Sequence, residues 1–131
     1  TFERGMASPL EMVRNDGYSN SDRWKHNGAL LTSTITGRFK LVEIGYQPNF
    51  DVVIQALKKY GEIPEGQWRE AFKAKYTKPD GNGPVGIADA SWTFPSGDAS
   101  FPYVSTGGDS SFSWTDDDFN GSWRWLVLAS K

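Results

Sequence analysis

The sequence predicts an α+β fold: an N-terminal β-hairpin, two consecutive short helices, then a four-strand antiparallel meander rich in aromatic side chains. Three observations predict it. The apolar period changes from two to about 3.6 near residue 49 and returns to two near residue 90. Aromatic residues stand two apart in four successive runs, which puts each pair on one face of a strand. Every acidic residue from position 80 onward is Asp, which suits turns and caps, whereas Glu suits helices. At 131 residues the chain has the length of one domain. It divides by composition into a polar N-terminal arm, 1–28, and a single α+β domain, 29–131.

The arm is rich in turn residues, with Asn-Asp-Gly and Asn-Gly in "RNDGYSNSDRWKHNG". One short helix is expected inside it near "SPLEMVR", where Ser8 can cap and Pro9 can take the first helical position. In "ALLTSTITGRFKLVEIGY" two β-rich runs flank Thr36-Gly37-Arg38, the pattern of a hairpin. Then Phe50, Val53, Ile54, Leu57 and Tyr60 fall on one helical face, with Asn49 as N-cap and Gly61 beyond the end. A second helix is expected from Pro64, with Trp68, Ala71, Phe72 and Tyr76 on one face and Thr77-Lys78-Pro79 as its stop. The aromatic pairs Trp92/Phe94, Phe101/Tyr103, Phe112/Trp114 and Trp123/Trp125 then mark four strands. The last strand is apolar on both faces: Trp123, Trp125 and Val127 on one, Leu126 and Leu128 on the other. Such a strand is covered on both sides.

Charge argues against a general nucleic-acid binder, because the net charge is −2. Residues 58–79 carry six positive and three negative charges, and residues 80–131 carry two positive and seven negative. Cysteine is absent, so no disulfide, thiol nucleophile or Cys-based zinc site exists. No apolar run approaches a membrane span, so membrane insertion is not expected.

The aspartates Asp116, Asp117 and Asp118 sit between two aromatic runs. Neighbours on a strand point opposite ways, but in a tight turn Asp116 and Asp118 could converge on Ca²⁺. The spacing is not that of an EF-hand, and "DDDFNG" also fits a solvated turn. His26 is the single histidine and lies in polar "RWKHNG", which reads as surface. A helical hairpin presenting Gln67, Arg69, Lys73 and Lys75 would be a DNA-binding arrangement, although Glu65 and Glu70 interleave with them.

The aromatic ladder is the strongest feature. Two short helices cannot cover nine rings between residues 92 and 125. Some of them should remain exposed, as a contact surface. The terminal "GSWRWLVLA" resembles the closing strand of some β-rich recognition domains on phage tail fibres and cell surfaces. That resemblance implies an extracellular or virion-surface setting.

The functional expectation is a non-catalytic binding or assembly module, a homo-oligomeric subunit of a virion or surface structure. It would contact a glycan or protein partner through Trp92, Tyr103, Trp114 and Trp123, with Trp24 of the arm reaching a neighbour. The alternative is a small carboxylate-dependent hydrolase, with or without a divalent cation, built from Asp80, Asp89 and two of Asp116–Asp118. The DNA-binding hairpin ranks third.

Overall fold

The computed structural model describes residues 2–4, 8–18, 21–28, 35–75, 83–115 and 118–128. Among these residues it is an α+β structure with three helices, a mixed seven-stranded sheet and a separate two-stranded pair. In chain order the elements are β1 (Phe2–Arg4), α1 (Pro9–Asn15), β2 (Lys25–His26), β3 (Ile35–Gly37), β4 (Phe39–Glu43), α2 (Phe50–Leu57), α3 (Trp68–Lys75), β5 (Val85–Gly86), β6 (Trp92–Thr93), β7 (Ala99–Val104), β8 (Ser110–Trp114) and β9 (Arg124–Leu128).

The caps predicted for the first two helices form. The Ser8 side chain accepts from the Glu11 N–H at 3.4 Å, and Pro9 opens α1. Asn49 accepts from the Val52 N–H at 3.0 Å at the start of α2, which buries Phe50, Val53 and Leu57. The third helix begins later than expected, at Trp68 rather than Pro64. A turn at Gly66-Gln67 precedes it, in which the Trp68 N–H donates to the Glu65 carbonyl at 3.0 Å. Gly66 is required there, because a Cβ would overlap the Trp92 ring. Tyr76 to Pro79 lie outside the described residues.

The sheet order is β2-β6-β7-β5-β9-β4, with β8 on the other side of β7. Strands β6, β7 and β8 pair antiparallel in succession, as the aromatic runs predict. The fourth run does not follow them. Strand β9 lies between β5, to which it is parallel, and β4, to which it is antiparallel. The reason lies in its two apolar faces. Trp125 and Val127 enter the cluster under α2, whereas Leu126 enters the cluster under α3. A strand of that kind is stable only inside a sheet with helices on both sides.

The predicted N-terminal hairpin falls partly outside the described residues. Among the described residues β3 pairs with β1, and β4 pairs with β9, Val42 facing Trp125. Residues 29–34 of the first predicted run lie outside the described residues. The chain leaving α2 passes tightly against β9. Gly61 has a φ of 156°, and a Cβ there would overlap the Leu128 carbonyl oxygen. Glu62 and Leu128 then exchange backbone hydrogen bonds at 3.2 and 2.9 Å.

Three residues of the N-terminal segment are buried in a third core cluster. Met12, Val13 and Trp24 pack with Trp92 and Phe112. The segment is pinned by Arg69, which is fully buried at the start of α3. Its guanidinium donates to both Asp16 oxygens at 2.8 and 3.1 Å, to Glu70 Oε1 at 3.0 and 2.7 Å, and to the Ser111 carbonyl at 2.9 Å. All five of its N–H donors are thereby used. Burial pushes the Asp16 carboxyl above its usual range, against the pull of Arg69.

Removing one member of such a pair strands a buried charge. Asp16→Ala is therefore expected to cost about 3–5 kcal/mol. The double replacement Asp16→Leu, Arg69→Met is expected to cost less than the single one. Urea unfolding followed by circular dichroism measures both.

Candidate functional site

The structure sorts the sequence-predicted contact residues by depth and by face. Trp92 is 0% exposed, so it belongs to the core and not to a surface. Its ring lies under Gly66, and its indole Nε1 donates to the Pro9 carbonyl at 3.0 Å. Trp24 is likewise buried, inside this chain's own third cluster rather than reaching outward. Tyr103 and Trp123 are half-buried, stand with their ring centroids 5.3 Å apart, and pack against the α2 cluster. Trp114 is 52% exposed. The aromatic surplus predicted from the sequence thus resolves into one exposed tryptophan, because helices cover both faces of the sheet instead of one.

Trp114 closes β8, and its surroundings are built. Phe94 meets it edge-on at 5.8 Å, and Phe94 in turn packs on Trp24 at 4.5 Å. Trp24 is held by Phe112 and Tyr18. The exposed ring therefore stands at the end of a chain of aromatic contacts that reaches the core. Ser113 and Thr115 flank it in sequence, and the turn before β7 adds Ser96, whose hydroxyl donates to Asp98 at 3.0 Å. The other end of β8 is closed. Tyr18 and Ser111 share a hydroxyl hydrogen bond at 3.0 Å, Lys73 donates to Ser110 at 2.6 Å, and Arg69 lies 5.0 Å over the Phe112 ring.

A second grouping was not legible in the sequence. His26, Asp89 and Ser91 meet beside Gly28 at the β2–β6 pair. The Ser91 hydroxyl donates to Asp89 Oδ1, and the Gly66 N–H donates to Asp89 Oδ2 at 2.7 Å. The His26 ring meets Trp92 edge-on at 4.5 Å. These are the residue types of a hydrolytic triad, but the order differs. A triad sets the imidazole between hydroxyl and carboxylate. Here the hydroxyl goes straight to the carboxylate, and His26 Nε2 is buried with no hydrogen-bond partner among the described residues. Asp89 acts as a clasp that satisfies an N–H ahead of α3 and ties it to the β5–β6 connection.

Of the acidic run, Asp116 and Asp117 lie outside the described residues, and so does Asp80. Asp118 is exposed and hydrogen-bonds to the Tyr46 hydroxyl. Phe119, next to it, is buried and bridges Gln47, which makes this segment a core-anchored loop rather than a tight hairpin turn. Among the described residues no group of three His, Asp or Glu side chains could hold a metal ion. Gln67 and Arg69, two of the four candidate DNA contacts, are buried. No described helix is long and apolar enough to cross a membrane. No protein-family model, curated protein or solved structure matches this chain.

Asp89 accepts two hydrogen bonds as a charged group. Asp89→Ala is expected to destabilise by about 1.5–3 kcal/mol, with Asp89→Asn intermediate. Guanidinium unfolding of the two variants checks the order.

Proposed function

We propose that the protein is a non-catalytic binding module that holds a carbohydrate against Trp114. The single observation that carries this reading is the exposure of Trp114 on a braced aromatic stack, while the other five tryptophans are buried or half-buried. Ordering a loose side chain costs entropy on binding; a ring already fixed by Phe94 avoids much of that cost. A flat indole offers its electron-rich face to the C–H groups of a pyranose ring. The exposed turn before β7, beside Phe94, adds Ser96 and Asp98 as donor and acceptor groups for sugar hydroxyls. A protein contact is less well supported at β8, because Tyr18, Arg69 and Lys73 already occupy the far end of that strand.

The test is titration of the wild-type protein and Trp114→Ala with neutral cello-, xylo-, manno- and chito-oligosaccharides, read by calorimetry. Binding of one series is expected, weakened at least about tenfold in Trp114→Ala. The thermal midpoint should change little, since the ring is half in solvent. Absence of binding across the series, or equal binding by the variant, overturns the reading.

A further inference from the structure

We infer that His26 is an acid-sensitive latch that holds the strand behind the Trp114 stack, so that protonating it loosens Ser21–Gly28 from the sheet and with it the Trp114 site. The coupling to ligand rests on the carbohydrate reading above; the latch itself does not. Strand β2 is two residues long and, among the described residues, joins the sheet only through β6, Lys25 facing Thr93 and His26 facing Trp92. The Asn27 N–H adds one bond to the Ser91 carbonyl at 2.8 Å. Trp24, immediately before this short strand, packs on Phe94, and Phe94 braces Trp114. The preceding helix is anchored separately, by Asp16 on Arg69 and Tyr18 on Ser111. Loosening at β2 therefore leaves α1 in place.

The corner around the ring is shaped for neutral imidazole. Nε2 is buried and meets no hydrogen-bond partner among the described residues. Gly28 leaves room for it: a Cβ there would lie 2.9 Å from Nε2 and 2.8 Å from the Ser91 hydroxyl. The charged group facing the ring is Asp89, from the β5–β6 connection, and both its oxygens already accept hydrogen bonds. From β6 come Ser91, Trp92 and Thr93, which do not titrate in this range. Lys25, beside His26 on β2, is exposed. On α1, which packs near β2, Glu11 and Arg14 are exposed and pair with each other at 3.0 Å. Burial lowers the His26 pKa, and the Asp89 charge opposes this.

The sign follows. A lowered folded-state pKa means that the opened segment binds the proton more readily. The closed form is fully favoured above the ordinary value of about 6.5 and loses ground as pH falls below it. The open population rises up to about tenfold per pH unit until the closed-state ring titrates too.

Hydrogen exchange of the intact protein at pH 7.5 and 5.5, corrected for intrinsic exchange, tests the latch against His26→Gln, which cannot titrate. In the wild type, the amides of Lys25 to Asn27 are expected to lose several-fold protection relative to β7 at pH 5.5. In His26→Gln that ratio should not change with pH. Constant relative protection in the wild type, or equal loss in the variant, overturns the latch. Should His26→Gln not fold, an NMR titration of the wild-type imidazole decides: a pKa at or above 6.5 overturns the proposal, and one below supports it. Oligosaccharide titration at both pH values separates the coupling. Weaker binding at pH 5.5 in the wild type alone supports it, whereas opening without release overturns the link to Trp114 and leaves the latch standing.

Discussion

The buried guanidinium of Arg69 is the constraint on which the placement of α1 depends. A charge at 0% exposure is tolerated only when its donors are satisfied, and here five hydrogen bonds go to three elements. Asp16 ends α1, Glu70 continues α3, and Ser111 belongs to β8. Satisfying one side chain therefore fixes how α1 approaches the sheet. That placement sets Tyr18 against Trp24 and Phe112, and the third core cluster follows. It also closes one end of the β8 edge, leaving the Trp114 end open.

The aromatic side chains then divide the interior by face. Phe50 of α2 stacks on Phe101 at 5.0 Å and reaches Phe119 and Trp125. Trp68 and Phe72 of α3 cover Val85, Val104 and Leu126 on the opposite side. Because each ring buries a large area, a chain of modest apolar content fills both layers. The cost is tight backbone approach, met by Gly61 at Leu128 and Gly66 at Trp92.

The contact surface illustrates how legibility fails by steps. Trp114 was identifiable as one of a pair two apart, and its strand formed. Trp92, another candidate contact residue from such a pair, looked the same in sequence, yet the turn at Gly66 covers it. Nothing local distinguishes the two rings; the difference is which one lies beneath the start of α3. The His26 corner was hidden for another reason. Asp89 and Ser91 are two residues apart, but His26 is more than sixty residues away and is brought in only by β2–β6 pairing.

By itself the sequence determined the α+β class, the Ser8 and Asn49 caps, the α2 face and three successive strands of the aromatic sheet. All of these rest on interactions between residues close in the chain, where period and cap chemistry act. It also marked β9 as covered on both faces. Tertiary structure alone decided where β9 sits, which helix covers which face, that β3 and β4 part company, and which tryptophan reaches solvent. Those choices depend on pairing and burial between distant segments. A period of two states that a strand has two faces; it does not state which strand will lie beside it.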